Sequence, residues 1–86
     1  MIDINNISLS NKSEITFVIV SLEAIKGVEN CLKNIGDDYQ VIVVENSKNE
    51  NIKKKIESNY KNAKCILLGK NFGYGYAANQ GISIVK

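Results

Sequence analysis

The chain contains no histidine and no arginine, only two cysteines, and no long apolar run. Without histidine there is no His-dependent catalytic triad and no His-based zinc site. Arginine reads bases and phosphates through paired hydrogen bonds. Its absence, with a formal net charge of only +2, argues against nucleic acid as a partner. Cys31 and Cys65 stand far apart and outside any C-x-x-C spacing, so they read as reduced, small apolar residues. No apolar stretch approaches the ~20 residues of a membrane-spanning helix. The first residues also lack the basic-then-apolar pattern of a signal peptide, so a cytoplasmic protein is expected. What is present is ordinary: 86 residues, 44% apolar and 23% charged, suit one small globular domain.

Residues 1–14 are rich in Asn and Ser, and the pattern predicts a flexible N-terminal arm. Ile2, Ile4, Ile7 and Leu9 carry a partial period of two, which suits a weak edge strand as the alternative. From Ile15 to Val20 the chain is almost continuously β-branched or aromatic. Continuous rather than alternating hydrophobicity marks a strand buried on both faces, as in a parallel sheet. Ile25, Val28, Leu32 and Ile35 then fall on one helical face, and Gly36 stops that helix. The cycle repeats with Val41–Val44 as strand and Ile52, Ile56 and Tyr60 as helix. A third strand, Cys65–Leu68, leads through a Gly- and Asn-rich loop to a last helix, with Ala78, Ile82 and Val85 expected inward. This alternation predicts an α/β fold with a parallel sheet and right-handed crossovers.

Ligands of open parallel sheets bind outside the carboxyl ends of the strands. Here those ends carry Ser21-Leu22-Glu23, Glu45-Asn46-Ser47 and the loop 69–75. Carboxylate, amide and hydroxyl groups at one rim suit a nucleobase and ribose, which need both donors and acceptors. The structural alternative is that Asn46 and Ser47 only cap the second helix, and that Ser21 only opens the first. Lys53-Lys54-Lys55 reads as a solvated helix face. Gly73-Tyr74-Gly75-Tyr76-Ala77-Ala78 also spells G-x-G-x-x-A, the dinucleotide-binding fingerprint. Gly69 through Phe72 separate it from the preceding strand, however, and the fingerprint needs its first glycine directly after a strand.

Ile15–Ser21, Val41–Ser47 and Asn71-x-Gly73-x-Gly75-x-Ala77-x-Asn79-x-Gly81, in that order, resemble the start of family-2 glycosyltransferases. Within that family the likeness is to the rhamnosyltransferase-like branch, over residues 15–86. The resemblance implies a partial three-layer α/β/α, Rossmann-like GT-A fold that binds a nucleotide-diphospho-sugar. It implies inverting transfer of a sugar from a UDP- or dTDP-linked donor to a glycan or lipid-linked acceptor, in cell-surface polysaccharide synthesis. The enzyme would be cytoplasmic or peripheral to the inner membrane. By the same resemblance Glu45 would contact the base, Asn46 and Ser47 would shape that loop, and Ser21 would lie beside base and ribose. Asn71 and Asn79 would orient the donor side, with Gly73 and Gly75 allowing close backbone approach. Glu45 stands where the family usually has Asp, and Leu22-Glu23 where it commonly has Tyr-Asn.

The family also uses a divalent metal, Mg or Mn, held by a D-x-D-type motif after the next strand, and a general base further on. Neither motif occurs in these residues, and Asp37-Asp38 reads as a turn. The chain is therefore expected to supply only the donor-nucleotide-binding part and to be inactive in isolation. The alternatives are a stand-alone nucleotide-binding α/β module and a Rossmann dinucleotide-binding fragment. Without the family's next strand, the strand at Ile15–Val20 would form an open edge and invite self-association.

Overall fold

The computed structural model describes residues 2–7 and 15–85, with the side chains of residues 2–7 left out of account. In chain order the elements are β1 (Ile2–Ile7), β2 (Thr16–Ser21), α1 (Ile25–Ile35), β3 (Gln40–Glu45), α2 (Glu50–Asn59), β4 (Ala63–Leu67) and α3 (Tyr74–Ile84). They form one four-stranded sheet in the order β1-β2-β3-β4. β2, β3 and β4 are parallel, with Ser21 level with Glu45 and Glu45 level with Leu67, so their carboxyl ends make a common rim.

The continuous apolar runs are buried on both faces. Ile19, Val41, Val43 and Cys65 face one side, where Val28 and Leu32 of α1 and Ile52 and Ile56 of α2 cover them. Val18, Val20, Ile42 and Val44 face the other, beneath Ala77 and Ala78 of α3. The three-layer α/β/α arrangement is therefore as expected. Removing a side chain such as Ile56, which is fully buried, from water stabilises the fold by about 1.5–3 kcal/mol.

Local signals set the helix ends. Gly36 takes φ +82°, and its N–H donates to the Leu32 carbonyl, ending α1. The Asn49 side chain accepts from the Asn51 and Ile52 amides and opens α2, satisfying donors that have no partner within the helix. Asn49, rather than Asn46 or Ser47, is thus the cap of this helix.

Two expectations are corrected. Residues 2–7, taken as part of a flexible arm, form β1, antiparallel to β2 with Ile4 level with Ile19. The period-two signal was real but diluted by Asn5 and Asn6. Residues 8–14, the rest of the expected arm, lie outside the described residues. Consequently β2 is not an open edge, because β1 takes up its outward backbone groups.

In the third helix Ala78 is buried and Val85 packs against the core as expected, but Ile82 does not face inward. Ala77, Ala78 and Gly81 are its buried residues, while Ile82 is 40% exposed. A Cβ on Gly81 would collide with Val18 Cγ1 and lie 2.9 Å from Val44 Cγ2. The helix approaches the sheet through small residues, so its larger Ile82 and Ile84 point away.

Candidate functional site

The loops leaving β2, β3 and β4 enclose a cleft of about 600 Å³, within the usual size range of small-molecule sites. Leu22 and Glu23 supply one wall, Asn46 to Asn49 the floor and second wall, and Gly69, Lys70 and Asn71 the third. Of the residues expected at the site, Asn46, Ser47 and Asn71 line this cleft. Ser21 and Glu45 lie beneath it, each with no exposed surface. Asn79 is exposed on α3, and Gly73 and Gly75 sit at the start of that helix, outside the lining.

Glu45 is the anchor of the first wall. Its Oε2 accepts the Glu23 backbone N–H at 2.9 Å and the Ser47 hydroxyl at 2.6 Å. Ser47 Oγ in turn accepts the Asn49 N–H at 3.2 Å, and Asn49 Nδ2 donates to Glu23 Oε2 at 3.3 Å. The four residues close a ring that ties the β2–α1 loop to the β3–α2 loop. Glu45 Oε1 is buried without a hydrogen-bond partner among the described residues. Glu23 holds φ +50°, a left-handed conformation that is unfavourable for a residue with a Cβ and recurs at functional sites. The hydrogen bond from its amide to Glu45 keeps it there.

Asn46 does the same work on the other side. Its Oδ1 accepts the Phe72 N–H at 2.8 Å and its Nδ2 donates to the Gly73 carbonyl at 3.2 Å. Its own N–H donates to the Ser21 carbonyl at 2.7 Å, so one residue joins all three loops. Asn71 Oδ1 accepts the Gly73 N–H at 2.8 Å, shaping the turn into α3. Gly73 has φ +89°, which only glycine adopts at low cost. Gly75 has no such constraint, and a Cβ there would meet open space. Ser21 Oγ accepts the Ala24 N–H at 3.3 Å, but Ala24, not Ser21, is the N-cap residue of α1, and no side chain caps that helix.

The cleft's two lysines were not singled out by the sequence. Lys48 and Lys70 line it from two different loops, together with Glu23. Lys70 Nζ lies 5.0 Å from the Phe72 ring centroid, and Phe72 stacks on Tyr76 at 4.6 Å. Their signal in the sequence was position alone, directly after the strand-end residues and inside the glycine-rich loop. Among the described residues no group of three Cys, Asp or Glu side chains could hold a metal ion. Glu23 is the one carboxylate lining the cleft, so these residues do not fit a divalent cation.

The family model described as glycosyl transferase family 2 matches residues 16–86. No curated protein and no solved structure matches the chain. The family match covers all but the first fifteen residues and includes every loop of the cleft. The chain belongs to glycosyl transferase family 2.

Proposed function

We propose that this chain forms the donor-nucleotide-binding part of a glycosyltransferase, with the nucleoside of a UDP- or dTDP-linked sugar seated in the cleft at the rim of β2, β3 and β4. The supporting observation is that cleft: polar loops from three parallel strands, pre-set by Glu45 and Asn46, in a chain of this family. Glu23, Ser47 and Asn71 present acceptors and donors to base and ribose. Lys48 and Lys70 meet the diphosphate, whose charge no described metal site offsets. Glu45, which the resemblance would place against the base, acts in this reading from beneath, as a positioning residue.

The wider reaction is proposed from the family: inverting transfer to a glycan or lipid-linked acceptor in cell-surface polysaccharide synthesis, by a rhamnosyltransferase-like enzyme. Mg or Mn would be held by residues other than those described here. No helix among the described residues is long and apolar enough to cross a membrane, and a cytoplasmic site of action, peripheral to the inner membrane, belongs to the same proposal.

Backbone amide shifts during titration with UDP, dTDP, uridine and NAD test the reading. Shifts at Leu22, Glu23 and Asn46–Asn49 with UDP or dTDP are expected. Shifts confined to Gly73–Ala78 with NAD would favour the dinucleotide reading instead. The five residues from Leu68 to Phe72 between β4 and Gly73 speak against that second reading, because the fingerprint requires a tight strand-to-helix turn.

A further inference from the structure

β4 is the outer strand on one side of the sheet, and among the described strands it is bonded only to β3. In a parallel ladder a residue turns both its N–H and its C=O to the same side, and successive residues alternate. The Leu68 N–H donates to the Glu45 carbonyl, and the Asn62 carbonyl accepts from the Val41 N–H. Even-numbered residues therefore face β3, and Cys65, at the centre of β4, turns both its backbone groups outward. Those two groups are what an incoming strand would pair with first.

Both are already taken, by side chains from α2. Glu57 Oε2 accepts the Cys65 N–H at 2.9 Å, and Lys53 Nζ donates to the Cys65 carbonyl. Lys53 and Glu57 are themselves joined at 3.1 Å. At the start of the strand, the outward Ala63 N–H donates to the Tyr60 carbonyl. The ion pair imitates a neighbouring strand, offering one donor and one acceptor to a single residue of the edge.

The helix gains little from this pair. A lysine four residues before a glutamate is the weaker order for such a pair on a helix. Glu57 also lies in the last turn of α2, which carries no basic residue, and a negative charge there opposes the helix dipole. The arrangement is unfavourable for α2 and complementary to β4.

We propose that Lys53 and Glu57 form an edge guard, which closes the backbone of β4 against strand pairing with a second copy of this chain. The guard is independent of the nucleotide reading, since it lies on the outer edge of the sheet and not in the cleft.

The test uses the whole chain with Glu57→Ala, Glu57→Gln and Lys53→Ala, each followed by sedimentation over a range of concentrations and by amide hydrogen exchange. In the wild type the Cys65 amide should exchange slowly for an edge residue, because Glu57 accepts it. Glu57→Ala should speed its exchange in dilute solution by roughly five- to tenfold, the worth of about one net hydrogen bond. It should also produce concentration-dependent dimers. Glu57→Gln, which keeps an acceptor oxygen, should restore much of the protection. Lys53→Ala leaves the amide covered but frees the carbonyl, so it should associate more weakly than Glu57→Ala. Both side chains are more than a third exposed, so the fold survives these changes. A Glu57→Ala chain that remains monomeric, or one whose Cys65 amide exchanges as in the wild type, overturns the proposal.

Discussion

The Glu45 carboxylate holds the backbone N–H of Glu23 at 2.9 Å, across twenty-two residues of sequence, and thereby fixes the only non-glycine residue with a left-handed backbone among those described. A buried acid at the end of β3 thus bonds the loop that leaves its neighbour β2. Shortening that acid breaks the link while keeping a carboxyl group at the position. Glu45→Asp should withdraw the acceptor from Glu23, speed exchange of the Glu23 amide about five- to tenfold, and loosen nucleotide binding. Amide exchange and a UDP titration on the same variant check both effects. Unchanged protection at Glu23 would show that the loop holds itself.

Asn46 is fully buried and bonded to the Phe72 amide and the Gly73 carbonyl. Asn46→Ala leaves both groups without that partner, at a cost of about 1–3 kcal/mol. Because the Gly-rich loop then loses its side-chain tie to the β3–α2 loop, keeping only the backbone bonds at Leu68 and Gly69, UDP affinity should fall as well. Urea unfolding gives the first quantity and titration the second.

Gly81 lies where α3 crosses β2 and β3, with Val18 and Val44 inside the space of a Cβ. Gly81→Ala raises helix propensity but forces helix and sheet apart, and overpacking of this kind costs about 1–3 kcal/mol. The variant should melt at a lower temperature despite its better helix residue. A rise in melting temperature would mean that the valines move aside freely.

The hydrogen bond from the Cys65 amide, followed by the Lys53 ammonium, holds the Glu57 carboxyl below its ordinary value. A depressed folded value contributes stability that is present above the unfolded value, about 4.3. That contribution is lost as pH falls through the folded one. Stability should therefore decline from about pH 4.3 downward, with a smaller decline in Glu57→Gln. Denaturant midpoints measured across acid pH give the comparison.

Burial pushes the Cys65 thiol up to about 12, and burial also raises Cys31. An unfolded thiol ionises near 8.5, so alkaline solution favours the unfolded chain, by at most about 1.4 kcal/mol per pH unit for Cys65. Stability should fall from about pH 8.5 upward, with a shallower slope in Cys65→Ala. In the folded chain iodoacetamide should modify the half-buried Cys31 well before Cys65, which has no exposed surface.

The alternation of strands and helices was legible because continuous β-branched runs and three-to-four spacing report burial directly. β1 was harder to read, since Asn5 and Asn6 break the alternation that would have marked it. On α3, Ala78 and Val85 were read correctly as inward but Ile82 was not, because bulky residues are the usual sign of an inward face and here Ala77, Ala78 and Gly81 make the contact. At the rim, residue types did not report depth. Glu45 and Asn46 carry the chemistry of ligand contacts, yet three-dimensional proximity turns them toward neighbouring loops. Lys48 and Lys70 were indistinguishable from other surface lysines until the loops were brought together. The role of Lys53 and Glu57 could not be read at all, since nothing in their spacing shows that β4 lies beside them.

The placement of α3 decides how the sheet can grow. α1 and α2 lie on one face and carry the chain outward from β2 to β4, whereas α3 lies on the other and runs back over β3 and β2. A right-handed return from α3 would deliver a further parallel strand to the far side of β2. That berth already holds β1. A parallel strand delivered to that side would therefore compete with β1 for the same backbone groups of β2.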